Sequence, residues 1–120
     1  MKYDPLELAW AAGFFDGEGS LYLNHSRPGY AYLRLTVDQS DIRPILRFCC
    51  AVKNGIIYGP YQYTGQTKPF YRVHVGKTKQ VFQVIGCLWG YLSEPKREQV
   101  TRIIAEYRTL CNRRLQNVPS

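Results

Sequence analysis

Ala11-Ala12-Gly13-Phe14-Phe15-Asp16-Gly17-Glu18-Gly19-Ser20-Leu21-Tyr22-Leu23-Asn24 contains a change of period. Its first part continues a helix opened by Asp4-Pro5-Leu6-Glu7. There Asp4 can cap a free backbone N–H, Pro5 suits the first helical position, and Glu7 completes a pair resembling a capping box. This helix should run from Pro5 to about Phe15 or Asp16 and stop in Gly17-Glu18-Gly19, where glycines permit the left-handed geometry of a helix end. From Ser20 polar and apolar residues alternate, which is the signature of a strand with one buried face.

Outward from that junction the strand pattern continues through a turn at Arg27-Pro28-Gly29 into Tyr32-Leu33-Arg34-Leu35-Thr36-Val37-Asp38. The two runs form an antiparallel hairpin. Leu21, Leu23, Leu33, Leu35 and Val37 fall on a core face, and Ser20, Tyr22, Asn24, Ser26, Tyr32, Arg34, Thr36 and Asp38 on the other. A second helix follows from about Asp41 to Val52, with Pro44 tolerated only in its first turn. Gly55-Ile56-Ile57-Tyr58 and Phe70-Tyr71-Arg72-Val73-His74-Val75 make a second hairpin around Thr64-Gly65-Gln66, and Thr78 to Leu92 a third helix. Gly86 and Gly90 should weaken that helix. A shift of 38 residues superposes Arg34 on Arg72, Val37 on Val75 and Cys49 on Cys87, which suggests two copies of a hairpin-plus-helix unit. A last helix should run from Lys96 to about Cys111, with Val100, Ile103, Ile104 and Tyr107 on one face. The expected fold is α+β, αββαββα followed by that last helix. A four-stranded antiparallel sheet carries helices on one face and leaves the other polar, aromatic and basic.

Length and composition bound the function. With 120 residues the chain is expected to be one domain over residues 1–112, followed by a frayed tail at 113–120. Hydrophobic residues make up 45% and charged residues 21%, and no apolar run reaches the ~20 residues of a membrane helix. Acids at Asp4 and Glu7 argue against a signal peptide. Cys49, Cys50, Cys87 and Cys111 form no C-x-x-C pair and read as reduced core residues of an intracellular protein, cytoplasmic or in an organelle matrix, and not secreted. Sixteen Lys and Arg against nine Asp and Glu give +7, and the pI is near 9.4. That excess favours a polyanionic partner, most often nucleic acid.

Two features of the first helix invite chemistry. Ala9, Gly13 and Gly17 form a stripe of small residues that would let another backbone approach closely, whether a partner's helix or the domain's own sheet. Asp16 and Glu18 lie at the negative end of the helix dipole, where something cationic should offset them: a divalent metal, a lysine, or simple exposure to water.

Ala11 through Gly19, followed by Ser20, resembles the motif of the LAGLIDADG homing endonucleases, with glycines and acids in register. Three further stretches are similar to that family in order and spacing: Gln39-Ser40-Asp41 before the second helix, Asn54-Gly55-Ile56-Ile57-Tyr58, and Tyr91-Leu92 through Lys96-Arg97-Glu98-Gln99. The likeness covers about residues 6–107. Ala11 stands where Leu is usual, and Glu18, a longer acid that could reposition a metal, stands where many members carry Asp.

The resemblance implies a single-motif homodimer that hydrolyses both strands of DNA at a long pseudo-palindromic site, an activity associated with introns and other mobile elements. Motif helices would pack together through Ala9, Ala12, Gly13, Asp16 and Gly17. Glu18 corresponds to the metal-binding acid, and Asp16 to the motif's first acid, a helix-end and interface residue more than a ligand. Gln39 and Lys96 would flank the scissile phosphate, so Glu18, Asp16, Gln39 and Lys96 form the implied catalytic set. The implied cofactor is Mg²⁺, replaceable by Mn²⁺, with no organic cofactor and no membrane partner. The implied DNA surface is Ser20, Tyr22, Asn24, Ser26, Tyr32, Arg34, Thr36, Asp38, Tyr58, Lys68, Arg72 and His74, with Arg34 and Arg72 the best guanine readers. Size agrees with a dimer: a radius of gyration near ~13.6 Å gives a chain about 35 Å across, spanning roughly ten base pairs. Two other functions are open to the same fold: a catalytically silent DNA-binding regulator, and an RNA-binding splicing maturase whose sheet stacks unpaired bases.

Overall fold

Asp4 does cap the first helix: its Oδ1 accepts the Leu6 N–H at 2.9 Å. In the computed structural model that helix, α1, spans Pro5–Glu18. The structure describes residues 2–27, 29–65 and 68–116, the side chains at 26, 27 and 114–116 excepted. Pro28 and Gln66, expected in the two hairpin turns, lie outside the described residues. α1 does not end in a left-handed residue. Gly19 leaves it directly in extended conformation, at φ −90° and ψ 155°. Glycine is needed there for another reason: a Cβ would overlap the ring of Phe15, which is buried in the core.

β1 (Gly19–Arg27) follows without a loop and pairs with β2 (Tyr30–Gln39). Then come α2 (Ile42–Val52), β3 (Ile56–Tyr61), β4 (Phe70–Val75), α3 (Thr78–Leu88), a 3-10 turn at Trp89–Tyr91 and α4 (Glu94–Gln116). The strands form one antiparallel sheet in the order β1-β2-β4-β3, so the two hairpins meet through their second strands. Leu35 pairs with Val75, Thr36 with His74 and Val37 with Val73. Thr36 and His74 are also counterparts under the 38-residue shift, so the local two-fold relating the repeats passes through that pair.

The expected alternation holds. Leu21, Leu33, Leu35, Val37, Val73 and Val75 are buried, against Leu8, Ala11, Ala12 and Phe15 of α1, Ile45 and Phe48 of α2, Val81, Val84 and Leu88 of α3, and Val100 of α4. Leu23 is only half-buried. Beyond the last β2–β4 pair, the Leu33 N–H donates to the Thr78 hydroxyl at 3.1 Å, which ties the sheet to the first turn of α3.

α3 is shorter than its sequence pattern implies. It stops at Leu88, and the chain tightens into the 3-10 turn that contains Gly90, one of the two poor helix formers. The Arg97 guanidinium donates to the carbonyls of Trp89 and Gly90 at 2.9 and 3.0 Å, satisfying groups that no continuing helix covers. α4 starts earlier and ends later than expected, continuing past Cys111 to Gln116. Residues 117–120 of the expected tail lie outside the described residues. The 23-residue α4 helps to stretch the molecule to 51 × 38 × 27 Å with a radius of gyration of 15.8 Å, larger than chain length alone suggests.

Candidate nucleic-acid interface and acidic helix end

The acids of α1 separate in role as soon as their surroundings are drawn. Asp16 is half-buried, and its two oxygens accept the Ser93 N–H at 3.3 and 3.2 Å. Ser93 immediately precedes α4, so the negative end of α1 abuts the positive end of α4 and the carboxylate sits between them. Lys96, in the first turns of α4, donates from Nζ to the Gly19 carbonyl at 2.9 Å and reaches Gln99 Oε1 at 3.4 Å. Its ammonium also lies 5.0 Å from the centre of the Phe15 ring. The offset expected for Asp16 thus comes from the N-terminus of a helix of the same chain.

Glu18 differs. It is the last residue of α1, exposed, and its side chain makes no hydrogen bond or ion pair among the described residues. It lines an open cleft of about 340 Å³ with Asp38, Gln39, Ser40, Tyr63, Lys68 and Arg72 among others. Gln39 accepts from the Ser40 N–H at 2.9 Å and the Ser40 hydroxyl at 3.3 Å through Oε1, which leaves its amide nitrogen to act as a donor. Glu18 and Gln39 therefore share one cleft, and Lys96 reaches the adjoining backbone of Gly19.

A second hollow, of about 220 Å³, opens on the sheet face between Tyr22, Asn24, Arg34, Thr36, Arg72 and His74. Arg72 lines both. The strand register adds the remaining face residues: Ser20 stands opposite Thr36, Tyr32 opposite Asn24, and Tyr58 opposite Arg72. Thr36 is only 6% exposed, so it forms the floor of the hollow and its neighbours form the reachable surface. The Ser26 side chain lies outside those described. Burial first, and then the charges of Arg34 and Arg72, push the His74 imidazole below its ordinary pKa, against an opposing pull from Asp38. The Tyr58 ring meets His74 edge-on at 4.9 Å.

Two expectations need correction. Ala12 is 0% exposed within the chain's own core, so it is not available to a partner. Cys50 is exposed, and Cys49, Cys87 and Cys111 are half-buried, so none is a full core residue; all four are free. Burial and the neighbouring Cys50 push the Cys49 thiol up to about 11.

The small-residue stripe faces outward. Ala9, Gly13 and Gly17 are exposed together with Leu6, which is 80% exposed, while Leu8, Ala11, Ala12 and Phe15 occupy the inner side of α1. A Cβ added at Gly13 or Gly17 would meet nothing within 4 Å. Packing against the domain's own sheet therefore does not account for either glycine.

Four residues of the cleft, Ser40, Tyr63, Pro69 and Phe70, were not among the expected site residues. Tyr63 follows β3 outside any strand, where no periodicity marks it. Ser40 sits between β2 and α2 and fixes Gln39.

Hard carboxylate oxygen is the donor Mg²⁺ takes. Among the described residues, however, no group of three or more His, Cys, Asp or Glu is placed to hold a metal ion. The Glu18 carboxylate is of the right donor type for a divalent cation, but a site there would need further donors. No helix among the described residues is long and apolar enough to cross a membrane.

No protein-family model matches the chain, and no curated protein matches it in sequence. Solved structures do match. The homing endonuclease I-CvuI, in complex with the I-CreI target, superposes with a TM-score of 0.67 at 23% identity, covering 91% of this chain and 70% of that one. The homing endonuclease I-TnaI gives 0.66 at 19% identity, over 96% of this chain and 82% of the other. The LAGLIDADG meganuclease I-AabMI, bound to uncleaved DNA, gives 0.66 at 20% identity, over 95% of this chain but 39% of its own length. The chain has the fold of the LAGLIDADG homing endonucleases, in agreement with the order and pairing of its elements.

Proposed function

We propose that this chain is a site-specific double-strand DNA endonuclease that acts as a homodimer with a divalent metal. The observation that carries the reading is one of placement. An exposed acid, Glu18, whose side chain has no partner among the described residues, ends a helix whose outer stripe carries only the small residues Ala9, Gly13 and Gly17, and opens through a shared cleft onto a basic sheet face. Solved neighbours of the same fold carry DNA in their complexes, which supports assigning the sheet face to duplex DNA.

Dimerisation follows from the cost of the stripe. Glycine inside a helix is about 1 kcal/mol less favourable than alanine. Nothing among the described residues excludes a methyl group at Gly13 or Gly17, so a second helix is the reason to keep glycine there. Ala9, Gly13 and Gly17 form that contact, and Asp16 at its edge holds the start of α4. Two copies crossed at this stripe bring two Glu18 carboxylates together and supply the donors that one chain lacks.

Phosphodiester hydrolysis needs an activated water and a neutralised leaving oxygen, and Mg²⁺ held by Glu18, with Mn²⁺ as a substitute, would supply Lewis acidity for both. The remaining work belongs to side chains. Gln39 donates its amide N–H to a phosphate oxygen or water in the cleft. Lys96, held on the Gly19 carbonyl, places a positive charge where negative charge grows in the transition state. Ser20, Tyr22, Asn24, Tyr32, Arg34, Tyr58, Lys68, Arg72 and His74 contact phosphates and base edges.

Selection of bound duplexes from a randomised library, followed by addition of Mg²⁺, tests the reading. The expected product is a pseudo-palindromic site cut on both strands. Binding with no cleavage in Mg²⁺ or Mn²⁺ would establish a regulator instead, and preference for structured RNA over duplex DNA would establish the RNA-binding function.

A further inference from the structure

Asp38 and Arg72 stand directly opposite each other on β2 and β4. Arg72 Nε donates to Asp38 Oδ1 at 2.7 Å, and Nη2 donates to Oδ2 at 2.8 Å. The guanidinium is held from other sides as well: the Phe70 ring centre lies 5.4 Å away, and Tyr63 adds a polar contact. Arg34 is unlike it. Among the described residues no carboxylate is ion-paired with Arg34 and its buried Nε has no hydrogen-bond partner, although the guanidinium lies 5.7 Å from the Tyr32 ring centre.

An acid in the middle of a surface for a polyanion weakens binding, because it cancels a charge that would otherwise displace a counterion. Partly exposed ion pairs contribute little to folding, so stability is a poor reason for it. Orientation is a better one. The carboxylate takes the Nε–Nη2 side of the fork, and the Nη1–Nη2 end that remains has the spacing of guanine O6 and N7.

Position along the sheet narrows the target. Gly19 pairs with Val37, the residue before Asp38, and both Glu18 and Asp38 line the same cleft as Arg72. On the same face of β2 the Arg34 rung lies four residues away, about 14 Å or four base pairs farther out.

Resting on the DNA reading of the sheet face, we propose that Asp38 is a positioning residue for base recognition. By clamping Arg72 it turns that side chain from a mobile phosphate contact into a guanine reader at the base pair beside the cleavage centre. Asp38 thereby exchanges general affinity for selectivity.

The test is selection from a randomised duplex library in EDTA, where cleavage does not interfere, with wild type, Asp38→Asn, Asp38→Ala, Arg72→Ala, Arg34→Ala and the double variant Asp38→Ala/Arg72→Ala. For wild type, guanine should be preferred at one symmetric position by between about 5-fold and 150-fold, the range for a bidentate contact. Both Asp38 variants should flatten that position to within a few-fold while binding unrelated duplex more tightly. Asp38→Ala should add no further loss of selectivity to Arg72→Ala. Arg34→Ala should flatten a position about four base pairs farther out. A merely structural role for Asp38 would weaken every position alike and lower the melting temperature, and that result would overturn the proposal. So would an unchanged guanine preference in Asp38→Asn, which keeps the side chain's shape. If wild type enriches no duplex at all, the DNA reading itself fails, and the inference fails with it by a different signature.

Discussion

Lys96 reaches across the joint between α4 and α1 and donates from Nζ to the carbonyl oxygen of Gly19 at 2.9 Å. The same joint is closed from the other side by Asp16, whose carboxylate accepts the Ser93 N–H. Together these contacts hold the first turn of α4 beside the residue that follows Glu18. Lys96 is therefore fixed before any substrate arrives, and this favours an electrostatic role during the reaction over one in binding. Lys96→Met should lower the cleavage rate about 10- to 100-fold, with duplex affinity in EDTA changed only slightly. Single-turnover kinetics alongside a binding titration separates the two quantities.

Substitution at Gly13 should act in opposite directions on the chain and on the proposed dimer. Gly13→Ala meets no obstacle within the chain and should stabilise the isolated monomer by up to about 1 kcal/mol through helix propensity. The same methyl group should weaken a close helix crossing, and Gly13→Leu should abolish it, because a branched side chain cannot fit between touching backbones. Light scattering and thermal unfolding at low and high protein concentration would check this. A wild type that is monomeric and cuts as a monomer would refute the dimer.

The junction at residues 17–20 was legible in the sequence because helix and strand periods differ, and the meeting of the periods at Gly17-Glu18-Gly19 places the acids at a helix end. The face residues Tyr22, Arg34 and His74 were legible for the same reason, since alternation assigns sides without knowledge of neighbours. Pairing between the hairpins was not. Asp38 meets Arg72 because the repeats join through their second strands, and that choice depends on how the four helices cover the sheet. Ala12 misled for a related reason. A helix with apolar residues on both sides gives no periodic sign of which small residues face inward, and only the core settles that Ala12 does and Gly13 does not. The glycine at 19 reads as a helix terminator, yet its requirement comes from the ring of Phe15 lying over it.

Salt should weaken DNA binding steeply, since each phosphate neutralised by the sheet face releases condensed counterions. With about five phosphate contacts per subunit the log–log slope for a dimer should be about −9. A slope shallower than about −3 would mean that another surface binds the DNA.

His74 should make both stability and binding depend on pH, with opposite signs. Its pKa in the folded chain lies below the ordinary value of 6.5, chiefly through burial and then through Arg34 and Arg72. The unfolded chain therefore binds more protons in the window just below 6.5, so stability rises with pH through that window. The stabilisation is present above 6.5 and is lost as pH falls through the lowered pKa. Phosphates brought to the hollow would favour the charged imidazole, so DNA binding should take up a proton and tighten as pH falls. His74→Gln should remove both dependences, as read by unfolding and binding titrations from pH 5 to 8.

Glu18→Gln separates recognition from chemistry. The substitution keeps the size and much of the hydrogen-bonding shape of the side chain, and nothing among the described residues depends on its charge, so the fold and the sheet face should be unaffected. What it removes is the carboxylate that can hold a divalent cation in the cleft shared with Gln39. Duplex affinity in EDTA should therefore match wild type or rise slightly, because a negative charge beside the DNA is gone. Cleavage of both strands in Mg²⁺ should fall by at least about 10³-fold, and Mn²⁺ should restore little, since the metal ligand itself is missing. Mixed dimers carrying one wild-type and one Glu18→Gln subunit make the test sharper. If each site serves one strand, they should nick; if the two sites share ligands across the crossing of α1, they should leave both strands intact. Cutting by the variant at the wild-type rate would mean that Glu18 only ends a helix, and the active site would have to be sought elsewhere.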